Sequence, residues 1–190
     1  MKKILLEDVY KKVVNFLSRE KFEYIIIGGI AAGILGEPRV TADVDIDILL
    51  DKDQILSFLR KAQKAGFKIN ETKCKKEAEE RGVFQINYGD FHIDFIIAST
   101  DLETQVFSRK KTVELYNTKA FFPTPEDLIL LKIIPARLQD LLDAKKIVVR
   151  YKDKLDKRYL KTWAKRLCDE AQDMRIYNEL LRLLKGESNE

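Results

Sequence analysis

One short stretch limits what this chain can be. Tyr24-Ile25-Ile26-Ile27 leads into Gly28-Gly29, and thirteen residues later comes Asp43-Val44-Asp45-Ile46-Asp47-Ile48. The apolar run before the glycines reads as a buried strand. The strict alternation after them predicts a second strand, with Asp43, Asp45 and Asp47 on one face and Val44, Ile46 and Ile48 on the other. Aspartate is disfavoured in strands, and like charges on one face repel. Same-face neighbours on a strand lie about 6.5–7 Å apart, so a cation is expected between or beside the carboxylates. Oxygen-only ligands favour Mg²⁺, Mn²⁺ or Ca²⁺ over zinc.

The glycines complement the acids. A Gly-Gly at a strand end lets backbone come close to a bulky ligand. A helix starting there would aim free N–H groups at a phosphate. Mg²⁺ bridges phosphate oxygens to carboxylates, so the two halves belong together. Singly, an Asp-x-Asp-x-Asp strand reads as a solvated edge and a Gly-Gly pair as a turn. Both occur here between Tyr24 and Ile48.

This combination resembles the nucleotidyltransferase superfamily, whose fold is shared with polymerase β. Its hallmark is an apolar strand, Gly-Gly or Gly-Ser, a spacer, and Asp-x-Asp on the next strand. A closer resemblance is to small bacterial and archaeal members related to abortive-infection toxins. These carry Arg-x-Thr/Ser-x-Asp-x-Asp, present here as Arg39-Val40-Thr41-Ala42-Asp43-Val44-Asp45. The resemblance implies Asp43 and Asp45 as the metal pair, with Asp47 an extra acid left open as a replacement for either. It implies Gly28, Gly29, Arg39 and Thr41 as nucleotide-binding residues. The implied fold is α/β (α+β), with a mixed central sheet flanked by helices and a C-terminal helical segment.

The rest of the chain is read in order. Leu6, Val9, Tyr10, Val13, Val14 and Leu17 recur at helical spacing and predict a first helix over 4–20. A strand over 22–27, a short helix over 29–35 ended by Gly36 and Pro38, and the acidic strand over 41–50 follow. Asp51 or Asp53 is expected to cap a helix that Gly66 stops. A short strand is expected over 67–70. The charged segment 71–81 reads as a loop or an exposed turn of helix.

Val83–Tyr88, Gly89-Asp90 and Phe91–Ile97 make a hairpin signal. Asp94 interrupts the aliphatic run of its second strand, and a charge there is costly to bury unless paired or metal-bound. In the resembling family a third acid sits on such a strand, and Asp94 matches it. The single histidine, His92, shares that face and reads as a packing or surface residue rather than a ligand, with contact to substrate left open. A short helix over 101–108 and final strands over 111–116 and 120–122 follow. Thr124-Pro125 is a helix start, with Thr as cap and Pro at the first position. Pro135 ends or kinks that helix. Another helix begins near Gln139, and two more cover about 154–170 and 173–185.

The stretch Thr124-Pro-Glu-Asp-Leu to Asp143 carries a second resemblance. Small toxin-type nucleotidyltransferases have a Pro-Glu-Asp-Leu helix, a Lys, then Arg with spaced Asp residues. The implied role of Lys132 is to meet the triphosphate as a point charge, with Asp140 and Asp143 holding it or reaching substrate. On the residues alone, all three make a charged helix face. The implied organisation is a catalytic core over 1–123 and a C-terminal helical region over 124–190.

The implied activity is transfer of a nucleoside monophosphate from ATP or another NTP to a hydroxyl acceptor. Asp43, Asp45 and Asp94 would hold two Mg²⁺ ions, with Mn²⁺ as the alternative. The acceptor could be RNA, a protein or a small molecule. The competing reading is a catalytically silent nucleotide-binding module, or half of a toxin–antitoxin pair with a cognate partner protein.

Composition narrows the alternatives. Cys74 and Cys168 stand far apart without Cys-x-x-Cys spacing, which disfavours a zinc site or disulfide framework. No Asp-rich loop with a fixed turn glycine supports a calcium protein. No apolar run approaches the length of a membrane span, and early charges disfavour a secretory signal, so a cytoplasmic protein is expected. From Lys145 onward, thirteen Lys and Arg residues face eight acids, a net +5. Such a tail can meet a polyanion, but solvated helix faces explain it more simply.

Overall fold

The computed structural model describes residues 3–186. Met1, Lys2 and the last four residues of the basic tail lie outside them. The chain divides into two compact units: Met1–Ile30 with Val40–Phe122, and Ala31–Arg39 with Pro123–Glu190. The backbone passes from the first to the second within a single helix, at Ala31, and returns at Val40.

The first unit is built on a mixed four-stranded sheet. Its strands are β1 (Tyr24–Ile26), β2 (Asp43–Ile48), β3 (Val83–Tyr88) and β4 (Phe91–Ile97), in the order β1-β2-β4-β3. β2 and β4 run parallel, while the outer pairings are antiparallel. Helix α1 (Leu6–Arg19) buries Val9, Tyr10, Val13, Val14, Phe16 and Leu17, the expected apolar stripe. Phe58 sits at the centre of an aromatic cluster, edge-on to Phe16, Phe22, Phe84 and Phe95. Val44, Ile46 and Ile48 are wholly buried, as the alternation requires. The two remaining strands, β5 (Lys111–Leu115) and β6 (Thr118–Phe122), form a separate antiparallel pair.

Three local expectations are corrected. Neither Asp51 nor Asp53 caps helix α3 (Ile55–Lys64). Gln54 takes that position without a side-chain cap bond, because its Oε1 accepts the Asp51 N–H at 3.1 Å instead. The strand over 67–70 reduces to one bridge, Lys68 to Asn87. The charged segment is a full helix, α4 (Glu71–Arg81). Asn70 caps it, accepting the Lys73 N–H at 3.1 Å, and Gly82 ends it. Cys74 and Ala78 give it a narrow buried stripe, and three Lys–Glu pairs at i, i+4 line its surface.

Helix α2 (Gly28–Leu35) follows β1, and α5 (Asp101–Arg109) follows β4. The second unit is helical: α6 (Pro125–Ile133), α7 (Leu138–Tyr151), α8 (Lys157–Ala171) and α9 (Arg175–Lys185), with the tail of α2. Thr124 caps α6 and Pro125 opens it, as expected. Arg150 donates to the carbonyls of Ile34 and Gly36 at 2.9 and 2.7 Å, closing the C-terminal end of α2. Tyr159 and Thr124 both donate to the wholly buried Asp127.

Candidate active site

Register decides which acids meet. Across the parallel β2–β4 pair, Asp43 faces His92, Asp45 faces Asp94 and Asp47 faces Ile96. Partners across a parallel ladder share a face, with strands about 4.8 Å apart. Asp45 and Asp94 are therefore direct neighbours, and Asp43 stands one same-face step along β2. On the far side of β4, Gln85 faces Asp94 and Asn87 faces His92. Gln85 Nε2 donates to Asp94 Oδ1 at 2.6 Å. His92 Nδ1 lies 2.6 Å from Asn87 Oδ1, which requires the proton on Nδ1.

The glycine turn lies against this row. Ile27 N–H donates to the Asp45 carbonyl at 3.0 Å, extending the β1–β2 pairing to the first glycine. Gly28 has φ +61°, a left-handed conformation that suits glycine. Asp45 Oδ2 fills the space a side chain there would need, and it accepts the Gly29 N–H at 3.4 Å. Asp45 thus stands opposite Asp94 in the sheet while its carboxylate meets the start of α2. Thr41 donates its hydroxyl to the Asp43 carbonyl at 3.4 Å, bracing the lead-in to β2.

Asp47 behaves differently from its two companions. Asp43 and Asp45 are half-buried, whereas Asp47 is only 2% exposed and its Oδ1 has no hydrogen-bond partner. Burial, then the charges of Glu103 and Asp45, push its carboxyl up to about 8. Alternation places Asp47 on the acid face but says nothing of how deep it lies. Gln85 was also not foreseen. Counting back from the Gly89-Asp90 turn would have placed it opposite Asp94.

Among the described residues, no three His, Cys, Asp or Glu side chains gather closely enough to hold a metal. Asp94 is engaged with Gln85, and Asp45 with the head of α2. By its chemistry the set still suits a hard divalent ion: Asp45 and Asp94 are adjacent, Asp43 is on the same face, and all donors are oxygen.

The other two expected nucleotide-binding residues, Arg39 and Lys132, belong to the second unit. Arg39 grips Asp143 with two hydrogen bonds of 3.0 Å each. Lys132 is buried and contacts Asp140 at 2.7 Å and Asp143 at 3.3 Å. Burial acts to raise the Asp143 pKa. The hydrogen bonds from Arg39 and Gln139, with the charges of Lys132 and Arg39, outweigh it and hold the carboxyl below the usual range.

Two solved structures share the fold. The lincosamide antibiotic adenylyltransferase LnuA, in its lincomycin-bound crystal structure, superposes with a TM-score of 0.54 at 14% identity. That match covers 77% of this chain and 98% of LnuA. An antigenic nucleotidyltransferase-like protein from Paracoccidioides brasiliensis also gives 0.54, at 18% identity, covering 95% of this chain and 92% of its own. No curated protein matches the sequence. No described helix is long and apolar enough to cross a membrane. Residues 5–186 match the family described as "Nucleotidyltransferase of unknown function (DUF6036)", and the chain belongs to it.

Proposed function

We propose that this chain is a Mg²⁺-dependent nucleotidyltransferase, moving a nucleoside monophosphate from an NTP to a hydroxyl acceptor and releasing pyrophosphate. One observation carries the reading: Asp45 stands in register with Asp94 while its carboxylate meets the glycine turn that opens α2. Acids for a metal and N–H groups for a phosphate converge on one side chain.

In this reading Asp43, Asp45 and Asp94 would hold the divalent ions. Bound there, such ions lower the pKa of an attacking hydroxyl and stabilise the charge on departing pyrophosphate. The backbone at Gly28-Gly29 receives the phosphates, and Asp94 takes the hydroxyl proton. Gln85 fixes one oxygen of Asp94 and so orients the other. Thr41 keeps the start of β2 in place. The part of Arg39 and Lys132 in meeting the triphosphate rests on the sequence resemblance. LnuA acts on a lincosamide, which makes lincomycin a reasonable first acceptor to try.

The test is label transfer. The protein is incubated with each α-³²P-labelled NTP, Mg²⁺ and candidate acceptors, alongside Asp45→Asn and Asp94→Asn. Acceptor-linked label that both variants abolish supports the enzyme. A second reading, a silent nucleotide-binding module or toxin–antitoxin partner, draws support from the engagement of Asp94 with Gln85 and of Asp45 with α2. It predicts that NTP raises the melting temperature while no label moves.

A further inference from the structure

A cavity of about 280 Å³ opens beside Asp94. Val83 and Gln85 of β3 and Asp94 and Ile96 of β4 line it, with Glu77 and Arg81 from α4. Its register explains it: Val83 pairs with Ile96 and Gln85 with Asp94, so these four share one face of the sheet. Val83 is 40% exposed at the sheet edge, an apolar side chain left open to solvent.

Resting on the transferase reading, we infer that this cavity seats the acceptor, and that the acceptor is a small, mainly apolar alcohol rather than an RNA end. Three observations carry it. The volume, about 280 Å³, falls just under the roughly 300–1,000 Å³ of drug-sized ligand sites, so it suits a small acceptor. Val83 and Ile96 offer apolar contact, while Gln85 and Asp94 supply polar atoms at one place. Glu77 and Asp94 outnumber Arg81 among its charged groups, the wrong balance for a polyanion, which needs Lys and Arg at its phosphates. A bound alcohol places its hydroxyl at Asp94 and its carbon frame on Val83 and Ile96. The hydroxyl oxygen attacks the α-phosphorus and forms the new P–O bond. The bond to the β-phosphate breaks, its electron pair leaving with pyrophosphate, and the hydroxyl proton passes to Asp94.

The test uses 3-phenylpropanol and cyclohexylmethanol as probes, a short RNA with a free 3′-hydroxyl as competitor, and α-³²P-labelled NTP with Mg²⁺. Val83→Trp fills the cavity from the sheet edge and Glu77→Trp closes it from α4; two variants guard against one failing to fold. Expected are label on the alcohols and a rise of about tenfold or more in their KM in either variant. Wild-type transfer to the alcohols in both folded Trp variants overturns the inference. So does label that reaches water or RNA but neither alcohol, which leaves the transferase reading standing. No label movement to any acceptor, water included, removes the transferase reading and this inference with it.

Discussion

Asp45 leaves no room for a side chain on Gly28: a β-carbon there would lie 1.8 Å from Asp45 Oδ2. The glycine is required twice over, by its left-handed φ and by this carboxylate. Gly28→Ala is expected to cost about 1–3 kcal/mol in stability, the range for a strained backbone position. Gly33→Ala is the matched control. Its β-carbon would meet nothing closer than Pro38 Cα at 3.7 Å, and it lies within α2. It should be neutral or stabilise by about 0.5–1 kcal/mol. Urea denaturation of both variants checks the contrast.

Asp47 sets a pH dependence in metal-free protein. The folded chain keeps its proton to about pH 8, while an unfolded aspartate loses it near 3.9. Folding therefore takes up a proton between those values, and stability falls as pH rises from about 4 to 8. The slope is at most about 1.4 kcal/mol per pH unit, and it levels off above. Asp47→Asn, which carries no titratable proton, should flatten that limb. Melting temperatures measured in EDTA across this range decide it; an unchanged slope would place the effect elsewhere.

Asp143 joins two cations inside the second unit. Asp143→Ala should cost about 3 kcal/mol, the low end for breaking a buried pair, since Lys132 retains Asp140. The sign with pH is opposite to that of Asp47. The Asp143 pKa is lowered on folding, so its contribution is present above the ordinary carboxylate range and is lost as pH falls through the folded value. Acid denaturation of wild type and Asp143→Asn should converge at low pH.

Tyr159 donates to Asp127 Oδ1 at 2.5 Å, between α8 and α6. Tyr159→Phe removes this donor from a wholly buried carboxylate. A loss of about 1.5–3 kcal/mol is expected, typical of a hydrogen bond to a charged group. Chemical denaturation with an unchanged m-value would show that the fold itself is kept.

Local chemistry alone determined much of this protein. The period-two alternation of Asp43–Ile48 set which side chains enter the core, because successive strand residues must face opposite ways. The Gly89-Asp90 turn set the hairpin, and Thr124-Pro125 set the start of α6. The charged helix α4 was not legible, because its stability comes from Asn70, Gly82 and ion pairs rather than from a broad apolar stripe. Tertiary structure alone decided the pairing of Asp45 with Asp94, since parallel register depends on long-range packing and no turn specifies it. It also decided that Asp47, one alternation step from Asp45, lies buried with an unpartnered oxygen. Sequence spacing sets the face a side chain occupies, but depth depends on what the rest of the chain lays over it.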